Sequence, residues 1–173
     1  MVVGIDIDDT ICKTRELQSI YWKEYYNDNP NDEYTEELPF NINHFGYDYI
    51  NVFWDTYRSR LFSPELKEDV IDIINKYREL GFKFVIVTSR PPENYVHLNQ
   101  DIEDWFNRVG LKVDDIFTGV YEKAKFCLDN KIDMLIDDDI RHIDLCKNFS
   151  VNYIHMTPDM TWKRIDEILN NYL

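Results

Sequence analysis

Cysteine is scarce in this sequence, and long apolar runs are missing. The 173 residues include three cysteines, Cys12, Cys127 and Cys146, whose wide spacing fits neither a disulfide framework nor a metal site. We therefore expect a reducing, cytoplasmic compartment, with all three side chains packed in the core and a reactive thiol at Cys12 as the alternative. Charged residues interrupt every apolar run, so neither a membrane span nor a signal peptide is expected.

Basic residues are also few. The chain has 19 Lys and Arg against 33 Asp and Glu, a formal net charge of −14. Such a charge repels nucleic acid polymers and anionic membranes, so neither is expected as a partner. A small phosphorylated substrate stays open, because a metal ion and one or two basic side chains can hold it locally. The sequence leaves the oligomeric state open, a homodimer included.

Short apolar runs alternate with amphipathic stretches, which predicts an α/β fold. Strands are expected at 2–8, 82–88, 116–118, 132–136 and 151–154. Helices are expected at 13–26, 64–80, 101–108, 122–130, 140–147 and 162–169. Ser63 and Pro64 are typical of the N-cap and first position of the second of these helices. The alternation favours a Rossmann-like parallel sheet of about five strands, flanked by helices and joined by right-handed crossovers.

An insertion follows the first strand. Residues 27–39 are polar and turn-rich, and residues 34–57 contain eight aromatic side chains: Tyr34, Phe40, Phe45, Tyr47, Tyr49, Phe53, Trp54 and Tyr57. We predict a core made of residues 1–12 and 63–173 and a small, helical, aromatic-rich cap at 13–62. The rings could contact a substrate or form the core of the cap itself, and the second reading is the commoner for any single ring.

Three of the predicted strands end in residues suited to phosphate chemistry. They lead into Asp6-Ile7-Asp8-Asp9-Thr10, Thr88-Ser89-Arg90 and Asp137-Asp138-Asp139. The carboxyl ends of neighbouring parallel strands open into one crevice, where α/β sheets hold ligands. Clustered carboxylates repel one another unless a cation lies between them, and Mg²⁺ suits an oxygen-rich site of this kind. The sequence therefore predicts a metal-assisted site for a phosphorylated ligand.

Asp6 and Asp8 are candidates for covalent and acid–base chemistry. Asp6 at the end of a strand can attack phosphorus, and Asp8 can then transfer the proton. Because alternate residues of a strand face opposite ways, both can serve one site only if the chain turns after Ile7. The alternative is that Asp8-Asp9-Thr10 simply caps the following helix.

The other candidate site residues each have an alternative role. Thr88 and Ser89 are candidates for binding phosphoryl oxygens or for capping the turn before Pro91. Arg90 can bind a phosphate or form a surface ion pair. Lys123 and Lys125 lie two apart on a predicted helix, so only one of them should reach the crevice. Helix capping needs one of Asp137, Asp138 and Asp139, which leaves the others to hold a metal.

Together these residues resemble the haloacid dehalogenase (HAD) superfamily. Four motifs occur in the superfamily's order over nearly the whole chain outside residues 27–62, carried by Asp6-Ile7-Asp8-Asp9-Thr10, Thr88-Ser89, Lys123 and Asp137-Asp138. The resemblance implies that Asp6 is the nucleophile, Asp8 the acid and base, and Thr88 and Lys123 the phosphate-binding residues. It also implies Mg²⁺ held by Asp6, the backbone carbonyl of Asp8 and Asp138, with help from Asp137 or Asp139 left open. One departure is Asp9, where the family usually has Gly.

Within the superfamily, an Asp two residues after the nucleophile is typical of phosphatases. The aromatic insertion resembles the small cap of 5′(3′)-deoxyribonucleotidases, which implies a 5′-nucleotidase acting on (deoxy)nucleoside monophosphates through an aspartyl-phosphate. A phosphatase of sugar phosphates or other small esters is the alternative, and a non-catalytic partner-binding module is a third hypothesis. The histidines, His44, His97, His142 and His155, have no ligand-like spacing and are expected to be packing or surface residues.

Overall fold

A computed structural model describes the backbone of residues 1–28 and 42–173. Its sheet has five parallel strands in the order β3-β2-β1-β4-β5. The strands are β1 Val2–Ile5, β2 Lys83–Val87, β3 Asp115–Phe117, β4 Met134–Asp137 and β5 Asn152–His155. The Rossmann-like α/β fold predicted from the sequence is therefore confirmed, with β1 at the centre of the sheet.

The part of the chain that the structure describes forms seven α-helices. They are α1 Thr14–Asp28, α2 Ile42–Leu61, α3 Val70–Glu79, α4 Leu98–Val109, α5 Lys123–Asp129, α6 Ile140–Phe149 and α7 Trp162–Leu169. Within these residues, no helix has the length and apolar character needed to cross a membrane.

The central strand is packed closely on its neighbours. Gly4 lies opposite Val85 of β2 and Leu135 of β4. A Cβ atom at Gly4 would come within 3.1 Å of the Ile132 side chain and 3.2 Å of the Val87 side chain. Because Gly4 has no side chain, the Ile132 and Val87 side chains can pack closely against the backbone of β1, as expected for Gly in a buried strand.

The chain divides into two compact units, one of residues Met1–Cys12 with Leu66–Leu173 and one of residues Lys13–Glu65. In the second unit, α1 and α2 share an aromatic core in which Trp22 stacks on Phe53 with ring centroids 3.8 Å apart. Tyr25, Tyr57 and Leu61 are buried in the same cluster. Among the eight aromatic residues singled out above, Phe53, Trp54 and Tyr57 are described, and the side chains of the other five lie outside the described residues. Phe53 and Tyr57 thus belong to the core of their own unit.

The predicted start of the second helix, at Pro64, was wrong. Helix α3 begins at Val70, after Asp69 in a left-handed conformation with φ 63°, and not at Pro64. Leu66 instead pairs with Cys12, and the backbone N–H of Lys67 donates to the carbonyl of Ile11 at 2.8 Å. Pairing with a distant segment holds the backbone extended here, and it overrides the local capping signal.

Candidate active site

The carboxyl ends of β2, β1 and β4 lie side by side because these strands are neighbours in the sheet. An open crevice of about 510 Å³ lies at these ends, within the first unit. Its lining includes the predicted site residues Asp6, Asp8, Thr88, Ser89, Lys123 and Asp138, together with Asp137 and Asp139. Thus residues more than 130 positions apart in the sequence meet at one edge of the sheet, as the motif pattern predicts.

A turn after β1 brings Asp6 and Asp8 to the same crevice. The backbone N–H of Asp6 still donates to Ile136 at 2.9 Å and continues the pairing with β4. The N–H groups of Thr10 and Ile11 then both donate to the carbonyl of Ile7, which closes a turn. The first strand accordingly ends at Ile5, three residues before its predicted end. This early turn meets the condition under which two acids separated by one residue can face the same site.

Lys123 lies between two buried carboxylates. Its Nζ atom is 2.6 Å from an Oδ atom of Asp6 and 2.6 Å from an Oδ atom of Asp137. All three side chains are buried, and Asp137 is fully enclosed. The second lysine of this helix, Lys125, is exposed and pairs with Asp129. The expectation that only one of these lysines reaches the crevice is confirmed, and Lys123 is the one that does.

The electrostatics of this cluster favour a further cation. Burial raises the pKa of Asp6 to about 8; the ammonium of Lys123 lowers it, and the charges of Asp137 and Asp8 raise it. Burial alone would lower the pKa of Lys123, but the two carboxylates raise it above its ordinary value, so Lys123 stays protonated. Positive charge beyond that of Lys123 would favour the ionised form of Asp6, which is the form that the predicted nucleophile needs.

The donor set of the crevice fits a hard divalent cation. Oxygen atoms of Asp6, Asp137 and Asp138 lie within 4.8 Å of one another. Carboxylate oxygens are the ligands that Mg²⁺ prefers, and a group of three can hold it with water in the remaining positions. The sequence left the contribution of Asp137 open, and the geometry includes it in the cluster. Asp139 instead caps α6, because its side chain accepts a hydrogen bond from the N–H of Arg141 at 2.9 Å.

Thr88 and Ser89 take part in the local turn while lining the crevice. The Oγ1 atom of Thr88 accepts a hydrogen bond from the N–H of Arg90 at 3.2 Å. Ser89 donates its hydroxyl to the carbonyl of Val120 at 3.1 Å. As acceptor in that bond, Thr88 can still direct its hydroxyl proton towards a ligand. The two alternatives stated for these residues are therefore compatible, and the phosphate-binding role stays a prediction.

Arg90 does not form the surface ion pair that the sequence offered as one alternative. Its side chain is 7% exposed and forms two hydrogen bonds with the Asp8 carboxylate, from Nε at 2.9 Å and from Nη2 at 2.8 Å. It is therefore a buried partner of Asp8, neither a surface ion pair nor a group that lines the crevice. The expected substrate contact of Arg90 stays a prediction.

Some residues of the crevice carried no signal in the sequence. Tyr121 and three residues of α6, Arg141, His142 and Leu145, also line it. His142 was expected to be a packing or surface residue; it is half-buried, and loss of solvation lowers its pKa, which favours the neutral imidazole. None of the four belongs to a motif, so their position could be known only once α6 and the segment before α5 had been placed beside the crevice.

The cysteines behave as the composition predicts. Cys12, Cys127 and Cys146 are all buried and free of disulfides. Burial raises the pKa of the Cys127 thiol to about 12 and that of the Cys146 thiol to about 11, so both are protonated. The Cys12 thiol donates to the carbonyl of Ile7 at 3.3 Å and supports the turn after β1. Core packing is therefore the role of all three.

Solved structures of HAD-superfamily hydrolases and phosphatases share this fold. The haloacid dehalogenase-like hydrolase SP0104 from Streptococcus pneumoniae has a TM-score of 0.69 at 11% identity, with 99% of this chain and 98% of that chain covered. The candidate HAD hydrolase YfnB from Bacillus subtilis, solved with bound magnesium, has a TM-score of 0.67 at 16% identity and 98% coverage of both chains. A candidate β-phosphoglucomutase from Thermotoga maritima has a TM-score of 0.64 at 16% identity and 99% coverage of both.

Neither a protein-family model nor a curated protein sequence matches the chain. At identities of 11 to 16%, the structural likeness establishes the fold and no more. The HAD-type architecture predicted from the order of the motifs is thus confirmed. A magnesium-bound neighbour and the cluster of three Asp are both consistent with a Mg²⁺ site in this crevice.

Proposed function

We propose that this protein is a Mg²⁺-dependent phosphomonoesterase that works through an aspartyl-phosphate on Asp6. The observation that carries the proposal is the position of Lys123, in contact with both Asp6 and Asp137, at a strand end where Asp138 completes an acidic cluster. A buried nucleophile, a fixed ammonium and a site for a hard cation are what transfer of a phosphoryl group requires.

The residues divide the chemistry between them. An oxygen of Asp6 attacks phosphorus, the ester bond breaks, and Asp8 gives its proton to the departing alkoxide. Water then attacks the aspartyl-phosphate, Asp8 takes up the proton from this water, and phosphate leaves with Asp6 restored. Lys123 and Thr88 hold the phosphoryl oxygens throughout. Asp6, Asp137 and Asp138 would hold Mg²⁺, together with the backbone carbonyl of Asp8, and the ion would neutralise charge on the transferred group.

We propose nucleoside monophosphates as the substrates, on the basis of the aromatic insertion and its resemblance to the nucleotidase cap. A second candidate, a small sugar phosphate, is supported by the Thermotoga maritima neighbour, whose name indicates a phosphorylated sugar. Burial of Phe53 and Tyr57 in the core of their own unit weakens the case for those two rings as a clamp for a base. The two classes therefore need a direct comparison.

The first test compares substrates and one pair of lysine variants. Phosphate release is measured with ribo- and deoxyribonucleoside 5′- and 3′-monophosphates and with sugar phosphates, with Mg²⁺ and with a chelator. We expect activity only with Mg²⁺, and a loss in kcat of about 100- to 1,000-fold in Lys123→Met, because one charged stabiliser of the transition state is removed.

Lys125→Met is the matched control, since Lys125 lies on the same helix and is exposed. It should keep the wild-type rate, and melting temperatures should show that both variants fold. Hydrolysis that survives the chelator or the loss of Lys123 would contradict the proposal. A kcat/KM that is higher for sugar phosphates than for every nucleotide would replace the proposed substrate class by the second candidate.

A further inference from the structure

Arg90 is held by several groups of the first unit. Its backbone N–H donates to Thr88 Oγ1, and its carbonyl accepts from the N–H of Gly119 at 2.9 Å. The guanidinium carbon lies 5.5 Å from the ring centroid of Trp105, a buried residue of α4, which is a favourable distance for a cation over an aromatic face. Both the backbone and the side chain of Arg90 are therefore fixed in place.

The two members of the Arg90–Asp8 pair differ in access to the crevice. The Asp8 side chain is 36% exposed and lines the crevice, whereas that of Arg90 is 7% exposed and does not. Arg90 therefore lies behind Asp8 as seen from the crevice. A ligand held in the crevice would contact the Asp8 carboxylate, and the guanidinium would act on it through that carboxylate.

We propose that Arg90 is a positioning residue that orients the Asp8 carboxylate for proton transfer. This inference rests on the proposed function, in which Asp8 protonates the leaving group. A carboxylate held by one hydrogen bond can rotate about its side-chain bonds, but a planar guanidinium that binds both oxygens fixes the plane of the group.

If Arg90 orients Asp8 in this way, the effect of replacing Arg90 on the rate should depend on the leaving group of the ester. Departure of an alkoxide needs a proton in the transition state, while a phenolate that carries an electron-withdrawing group leaves without one. Loss of the two hydrogen bonds from Arg90 should therefore lower kcat/KM, which reports the steps up to formation of the aspartyl-phosphate, for alkyl phosphates and leave kcat/KM for activated aryl phosphates nearly intact. A residue that binds the phosphoryl group itself would affect both classes equally.

The experiment measures kcat and KM of Arg90→Lys with a series of alkyl and aryl phosphates in the presence of Mg²⁺. Lysine keeps the positive charge but cannot donate two hydrogen bonds from one planar group to both oxygens of the Asp8 carboxylate. We expect kcat/KM to fall by about 10- to 100-fold for alkyl esters, a part of what general acid catalysis contributes. For activated aryl esters we expect kcat/KM to change by less than about threefold.

Two further variants keep the test decisive. Arg78→Lys is the matched control, because Arg78 also donates from Nε and Nη2 to a carboxylate, that of Asp114, and neither residue lines the crevice. It should leave the kinetics unchanged. Should Arg90→Lys fold poorly, Asp8→Asn/Arg90→Gln, which removes both charges, is compared with Asp8→Asn alone. We expect equal rates from these two, since Arg90 has nothing left to orient.

The outcomes separate the inference from the proposed function. An increase in KM with kcat unchanged would make Arg90 a substrate contact and overturn the inference. Equal losses in kcat/KM for alkyl and aryl esters would overturn it as well. So would a rate of the double variant below that of Asp8→Asn alone. Absence of hydrolysis by the wild type with Mg²⁺ would overturn the proposed function, and the inference with it.

Discussion

At the scale of the residue, Asp9 shows how the backbone constrains the first motif. Its φ is 55°, in the left-handed region that favours Gly, which is the residue the HAD family usually has at this position. Asp tolerates this region better than most residues because its side chain can bond locally. Lys67 donates a hydrogen bond to the backbone carbonyl of Asp9, so the turn is held from outside the motif as well.

This backbone conformation predicts how two substitutions differ. We expect Asp9→Gly to be more stable than Asp9→Ala by about 1 kcal/mol in the free energy of unfolding, because Ala has neither the freedom of Gly nor the local bonding of Asp. Neither change touches the backbone carbonyl that Lys67 binds, so each serves as control for the other. Urea denaturation provides the measurement. An Ala variant as stable as the Gly variant would contradict the left-handed backbone conformation at position 9.

The positions of single site residues could be predicted for those that belong to the four motifs. Asp6 and Asp138 meet as the strand ends predict, because neighbouring parallel strands open to the same edge. The ion pair of Asp8 with Arg90 could not be predicted, since its partners are 82 positions apart and no local pattern marks them. Lining residues such as His142 depend on where α6 packs, which is a property of the folded chain.

At the scale of the element, local signals succeeded where no distant partner competed with them. Helix α7 begins and ends as predicted, at Trp162 and Leu169, and the Thr161 side chain caps it by accepting from the N–H of Arg164. Ser63 and Pro64 carry a similar signal, yet α3 begins at Val70 because Leu66 pairs with Cys12. Local sequence signals therefore predict the ends of a helix only where no pairing with a distant segment competes with them.

Helices α3 and α7 are joined by an ion pair whose strength depends on pH. Lys76 Nζ lies 2.5 Å from Asp166 Oδ1, and the hydrogen bond from Lys76 lowers the pKa of Asp166. A carboxyl group with a lower pKa in the folded state stabilises the fold above its unfolded pKa of 3.8, and loses this effect as the pH falls through its folded pKa.

We therefore expect the wild type to be more stable than Asp166→Asn at pH 7, by about 0.5 kcal/mol because the pair is partly exposed. Urea denaturation of both proteins should show the difference shrinking as the pH falls below about 4, where Asp166 takes up a proton. The hydrogen bond of the Tyr77 hydroxyl to the Asp166 carbonyl is present in both proteins and cancels. A difference that grows at low pH would contradict the assignment.

At the scale of the whole molecule, the net charge of −14 makes the crevice unusual. Most of the surface repels anions, but the crevice contains a buried ammonium and a cluster that fits a divalent cation. In the part of the chain that the structure describes, the groups gathered in the crevice therefore favour a phosphorylated ligand against the charge of the surrounding surface. The five-stranded order that gathers them arises from pairing between segments far apart in the chain, while the alternation of elements was enough to predict the class of fold.

The central claim is that Asp6 becomes phosphorylated during turnover. The most direct measurement stops the reaction with acid while a phosphate monoester is being hydrolysed in the presence of Mg²⁺, and determines by mass spectrometry where the phosphoryl group lies. We expect the peptide that contains Asp6 to gain the mass of one phosphoryl group, with no gain in Asp6→Asn. Turnover without a phosphoryl group on Asp6, or a gain on another residue, would contradict the account.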